Sequence, residues 1–273
     1  MKIVKYLIVF VLLIGFGISA WFYYPQYQIH QMKKHAVAVV KKSSDQISYL
    51  NYYRNSKTSQ IHHLAIGDSI IRGVGAGKNE NFVSLFSSKL AEQTAKPIEF
   101  QNQGINGITS SELNDLVQEG RFDESIKQSD IVTINVGGND ILRMANGQNF
   151  RTVIQSYDQL QTTFSKNLSD ITSRITKLNP KVTIVFLELY NPLSPDDQLY
   201  PIADKMLPKW NVNIYEVAHK VPGSIVIETT KVINGDHLQN LSPDGVHPNL
   251  AGYTAISEQI IYQFKHQYRK SSV

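Results

Sequence analysis

Cysteine occurs nowhere in the 273 residues. Its absence excludes a disulfide framework, a thiol nucleophile, a thiolate metal site and a lipidated cysteine anchor. There is no internal repeat and no low-complexity tract. No basic stripe is interleaved with aromatics, so nucleic acid is not an expected partner. Charged residues make up only 18% of the chain and the net charge is +4. With 42% hydrophobic residues, this is the composition of a globular protein large enough to build a sizeable core. The lysine-containing tail from Lys265 to Lys270 reads as a short solvated helix end.

What is present begins with Lys2 and Lys5, followed by Tyr6 to Tyr24, an uncharged and mostly apolar run. At ~1.5 Å per helical residue it is long enough to cross the hydrocarbon core of a bilayer. Trp21, Tyr23 and Tyr24 stand at its far end, where an interfacial aromatic belt belongs. We therefore expect residues 1–24 to be a signal anchor or transmembrane helix. It would make the protein a single-pass component of the cell membrane, with the amino end cytoplasmic and the bulk of the chain extracellular. Ile18-Ser19-Ala20 offers a small-residue cleavage site, and processing there would give a secreted protein instead. Residues 25–60 are polar and tyrosine-rich, with a weak helical patch from His35 to Lys42, and read as a stalk. Residues 61–273 read as the globular domain.

Within that domain, short apolar runs alternate with segments of helical period. Strands are expected over His62–Ile66, Ile98–Phe100, Asp130–Val136, Val182–Leu189 and Ile225–Thr229. Helices are expected from about Asn81, from Ser110, over a long stripe from Val153 to Leu178, over Pro208–Ala218 and over Pro248–Phe264. Proline at the first position suits the last of these. This alternation means a parallel sheet covered by helices on both faces. Asn191–Leu207, with three prolines and no clear period, is expected as a long loop that helps to shape a pocket. His62 and His63 are adjacent on a strand, so they point to opposite faces and cannot share a metal.

The chemistry gathers at two stretches. Ile66-Gly67-Asp68-Ser69 ends a strand on a turn and enters a loop with glycines at 73, 75 and 77, which places the Ser69 hydroxyl at the carboxyl edge of the sheet. Those glycines do not match a dinucleotide fingerprint. Far downstream, Ser242-Pro243-Asp244-Gly245-Val246-His247-Pro248 sets a carboxylate three residues from an imidazole in a stiffened turn. Asp244 can fix the tautomer of His247, whose other nitrogen then serves as base for a serine hydroxyl. Three donors for an oxyanion come from glycine-containing turns after three strands: the backbone N–H of Ser69, the backbone N–H of Gly104 and the side-chain amide of Asn139. Glu188, at a strand end, and Arg72, just after the serine, are read as structural.

Gly67-Asp68-Ser69, Asn102-x-Gly104, Gly137-Gly138-Asn139-Asp140 and Asp244-x-x-His247 occur in the order of the sequence blocks of the SGNH hydrolases, the superfamily of the GDSL esterases and lipases, and the chain resembles that family over about residues 61–265. The resemblance implies a three-layer α/β/α, flavodoxin-like parallel sheet. It implies Ser69 as nucleophile, Asp244 and His247 as its partners, and Ser69, Gly104 and Asn139 as oxyanion donors. The leucine usual after the serine is Ile70 here, a volume-conserving change. The expected function is a membrane-tethered serine esterase or lipase, with no cofactor and no metal, acting on a small-molecule or lipid ester such as a lysophospholipid. The competing expectations are an O-acetyl esterase of envelope glycans and a catalytically silent lipid- or glycan-binding module.

Overall fold

The computed structural model describes residues 6, 16–17, 19–20, 23–34, 46–145 and 150–271. Most of the expected membrane span, and the helical patch 35–42, lie outside the described residues. Among those described, no helix is long and apolar enough to cross a membrane.

Five strands form a parallel sheet: β2 (Ile61–Gly67), β3 (Ile98–Gly104), β4 (Ile131–Asn135), β5 (Thr183–Leu187) and β6 (Ile225–Ile227), in the order β3-β2-β4-β5-β6. This is the flavodoxin-like order, in which the chain leaves β2 toward one edge and returns to its other side. Alternation along the strands divides the core. Leu64, Ile66, Val132, Ile134, Ile184 and Phe186 face one layer, while Ile61, Ala65, Ile131, Val185 and Leu187 face the other. The first layer is built by α5 (Ser110–Gln118), α6 (Asp123–Gln128), α7 (Gly138–Ala145), α8 (Phe150–Leu178) and α9 (Tyr200–Lys220). The second is built by α2 (Tyr49–Asn55), α4 (Phe82–Thr94) and α10 (Leu250–His266). The four-residue α3 (Ser69–Arg72) follows β2 directly.

Local chemistry fixes the helix starts. Asn81 caps α4 by accepting from the Ser84 amide, and Thr109 with Glu112 closes a capping box on α5. Asn249 caps α10 by accepting from Gly252 N–H, so Pro248 stands outside the helix rather than at its first position. A second correction concerns α9. The helix starts at Tyr200 and runs through Pro208, so only the first part of the expected 191–207 loop is a loop. Pro201 occupies the helix start, where its missing N–H has no cost, and Ile202, Ala203, Met206 and Leu207 continue a helical stripe that outweighs the break at Pro208.

Both ends of the domain depart from expectation. Of the stretch 25–60 expected as a stalk, residues 46–55 pack into the domain as β1 (Gln46–Ser48) and α2, with Tyr49, Leu50 and Tyr53 buried. The tail expected as a solvated helix end forms β7 (Tyr268–Lys270), antiparallel to β1. Arg269 in β7 is buried, donates to the Thr183 hydroxyl at 2.5 Å and lies 3.8 Å over the Tyr52 ring. A partner strand some 220 residues away is invisible to local periodicity. A helical run over residues 23–34, α1, packs Ile29 and Met32 on the first core layer, and Lys33 pairs with Glu228.

Candidate active site

The site lies where the sheet order reverses, beyond the carboxyl ends of β2 and β4, the position at which open parallel sheets hold their ligands. Gly67 makes the close approach possible. It has φ +142°, and a Cβ there would sit 1.9 Å from the Asn135 carbonyl oxygen. The amide of Asp68 donates to that same oxygen at 3.0 Å. Asp68 then caps α3 by accepting from Ile70 N–H at 2.9 Å and takes a second bond from the Asn135 side chain at 3.0 Å. Ser69 is therefore the first residue of a helix, and its N–H has no helical acceptor.

The structure brings the three expected catalytic residues together. Ser69 Oγ lies 2.8 Å from His247 Nε2, and His247 Nδ1 lies 2.7 Å from Asp244 Oδ2. The other oxygen of Asp244 accepts from the amides of Val246 and His247, both at 2.9 Å, and from the Ser242 hydroxyl at 2.8 Å. Ser242 N–H donates to the His247 carbonyl, Gly245 turns the chain at φ +72°, and Tyr190 donates its hydroxyl to the Val246 carbonyl. Desolvation alone would raise the Asp244 carboxyl. The amides of His247 and Val246, the imidazole and the Ser242 hydroxyl outweigh it and hold the group well below the usual carboxylate range. An ionised Asp244 fixes the proton on Nδ1 and leaves Nε2 to accept from Ser69.

The oxyanion donors are placed only in part as the sequence suggests. Asn139, in the first turn of α7, lines the same cavity as Ser69 and gives one amide hydrogen to the Ile108 carbonyl at 3.0 Å, leaving the other for a ligand. Gly104 is a correction: its N–H is taken by Asn102 Oδ1 at 3.0 Å, and a Cβ would lie 2.2 Å from the Arg72 nitrogen. It is a packing glycine beneath α3. Gly107, in the loop that follows β3, has φ +74° and lines the cavity, and among the described residues its N–H meets no intramolecular acceptor. The signal for it was the Asn106-Gly107 dipeptide, a turn pair that demands a left-handed residue. Asn135, which braces Asp68, was also missed.

These groups stand at one end of a cavity of ≈ 570 Å³. Ile141, Leu142 and Met144 from α7, Tyr157 from α8, and Ile202 and Met206 from α9 make an apolar wall, joined by Leu189 and Leu193. The 191–207 segment thus does shape the pocket. Glu188 reaches its inner edge, but its carboxylate is buried and held by the Tyr215 hydroxyl at 2.7 Å and the Thr230 hydroxyl at 2.5 Å. Arg72 is exposed. His63 points into the second core layer, bonded to Ser87 and Thr133, and burial lowers its pKa to about 3. Among the described residues no cluster of three or more His, Cys, Asp or Glu side chains is placed to hold a metal ion.

Asp68 gives a test of the site's electrostatics. Burial pushes its carboxyl up to about 6, against the opposing hydrogen bonds from Ile70 and Asn135. A folded-state value above the unfolded one means the native state binds the proton more tightly. Asp68 therefore lowers stability progressively as pH rises from about 4 to about 6, and by a constant amount above that. Asp68→Asn is expected to melt like the parent at pH 4 and to become the more stable protein above pH 6, by on the order of 2–3 kcal/mol. Thermal melts of both proteins from pH 4 to 8 check this; a difference independent of pH would refute it.

Known proteins resemble this chain in sequence and in fold. The sequence profile of the GDSL-like lipase/acylhydrolase family matches residues 65–255. The spore germination lipase LipC of Bacillus licheniformis is 29% identical over 205 residues, which span 73% of this chain and 94% of that protein. The crystal structure of the lipase Lip_vut3 from a goat rumen metagenome superposes with a TM-score of 0.66 at 28% identity, covering 74% of this chain and 97% of that one. A variant of Axe2, an acetyl xylan esterase from Geobacillus stearothermophilus, shares the fold with a TM-score of 0.54 at 20% identity, over 76% of this chain and 95% of that one.

Proposed function

The chain belongs to the GDSL-like lipase/acylhydrolase family of SGNH hydrolases and is a serine ester hydrolase; from that premise we propose that it cleaves acyl esters of lipids through an acyl-enzyme on Ser69. Ser69 Oγ attacks the ester carbonyl while His247 Nε2 takes its proton. The developing oxyanion is met by the N–H groups of Ser69 and Gly107 and by the Asn139 amide. The imidazolium, steadied by Asp244, passes the proton to the leaving alcohol. Water, deprotonated by the same nitrogen, then releases the acid.

The observation that carries the substrate class is the apolar cavity behind the serine. An acyl chain fills it and gains about 0.8 kcal/mol for each methylene removed from water. An acetyl group leaves it empty, which counts against the glycan O-acetyl reading. Lysophospholipids and other single-chain acyl esters are the expected substrates. The apolar amino-terminal run supports a tether to the cell membrane with the catalytic domain outside.

A series of soluble p-nitrophenyl esters from acetyl to decanoyl tests this. We expect kcat/KM to rise by roughly fourfold per added methylene until the cavity is full. A maximum at acetyl would replace the lipid reading with the glycan one. Membrane fractionation of the full chain tests the tether; a product found wholly in the medium would mean that the leader is cleaved.

A further inference from the structure

Gly107 and Asn139 approach the cavity on two separate segments, the loop after β3 and the first turn of α7. The side of Gly107 on which a Cβ would stand is open: a Cβ added there would find no atom within 4 Å, although the residue sits at φ +74°. A glycine in open space has many accessible conformations, so hydrogen bonds must select the one that turns its N–H into the cavity. They come from α7. Arg143 donates to the Gly107 carbonyl at 2.6 Å, Asn139 to the Ile108 carbonyl at 3.0 Å, and Asp140 accepts from the Ser110 amide and hydroxyl at 2.9 and 2.6 Å. Arg143 is itself held by Glu112, with bonds of 2.9 and 3.1 Å to the two carboxylate oxygens. Glu112 is fixed in turn by the amide and hydroxyl of Thr109.

We propose that Arg143, which lies outside the cavity, is a positioning residue for ester hydrolysis: its guanidinium, braced by Glu112, holds the Gly107 carbonyl and so fixes the backbone dihedrals of that residue, which keeps the Gly107 N–H on the preceding peptide pointed at the developing oxyanion. The proposal rests on the reading of Gly107 and Asn139 as oxyanion donors. A donor that swings away from the oxyanion is lost to the transition state while substrate still binds. Removal of Arg143 therefore acts on kcat and leaves KM nearly alone. Arg143 and Glu112 are largely exposed, and an exposed ion pair contributes little to stability. That separates positioning from a merely structural role.

The test compares Arg143→Met and Arg143→Lys in the full chain on a saturating soluble ester, with melting temperature measured in parallel. Arg143→Met is expected to lower kcat by about tenfold or more, with KM within about twofold and the melting temperature unchanged. Arg143→Lys recovers part of the loss, because a single ammonium serves the Gly107 carbonyl or Glu112 but not both in the geometry of the fork. In an Asn139→Ala background the Arg143→Met loss shrinks, since the hole is already broken. An unchanged kcat, a loss that tracks a fall in melting temperature, or losses that multiply in full with Asn139→Ala would each overturn the proposal. Failure of the underlying hydrolase reading looks different, because Ser69→Ala would then retain turnover.

Discussion

Ser69→Ala is expected to lower kcat/KM for ester hydrolysis by about 10⁴- to 10⁶-fold without loss of fold. The hydroxyl removed is the atom bonded to His247 Nε2 at 2.8 Å, and among the described residues no other nucleophile is bonded to that nitrogen. Ser69 is only half-buried at the mouth of the cavity, so truncation leaves no void in the core. What survives is the oxyanion hole and the acyl cavity, which still bind ester and orient water. His247→Ala should cost a similar factor, and the double variant little more than either, because the two groups perform one proton transfer. Steady-state kinetics on a soluble ester check all three. Turnover within tenfold of the parent in Ser69→Ala would remove the serine from its role.

Gly67→Ala is expected to have the largest effect on stability of any methyl-sized change. Two penalties coincide there: a backbone at φ +142°, and a Cβ position 1.9 Å from the Asn135 carbonyl oxygen. That oxygen belongs to the central strand β4 and already accepts the Asp68 amide, so it cannot retreat without opening the sheet at its centre. We expect a loss of about 3–5 kcal/mol, which for a domain of this size lowers the melting temperature by roughly 10 °C. Activity should fall as well, since Ser69 is aimed by the same turn. Circular dichroism melts of parent and variant decide it; a shift under about 2 °C would contradict the geometry.

The sequence made the sheet and its order of elements readable because each strand is a short apolar run and each long helix carries a stripe at one period. Ser69, Asp244 and His247 were legible for a local reason: strand end, turn and stiffened loop are written in adjacent residues. The donors were harder. Gly104 and Gly107 lie three residues apart, at the end of β3 and in the loop after it, and which N–H is free depends on where the Asn102 side chain turns, a contact no spacing rule supplies. The helix expected to begin at Pro208 runs through it, because the apolar stripe on either side outweighs the break. The β1–β7 pair and the burial of Arg269 depend on two ends of the chain meeting in space. Arg143 had no signal at all, since its partner is a backbone carbonyl.

The most direct measurement of the central claim is intact-mass and peptide mass spectrometry after treatment with an active-serine phosphonate, on the parent and on His247→Gln. We expect a single adduct, on the peptide carrying Ser69, forming at least about a hundredfold more slowly when the imidazole is gone. An adduct on any other residue, or labelling of Ser69 at an equal rate in His247→Gln, would contradict it.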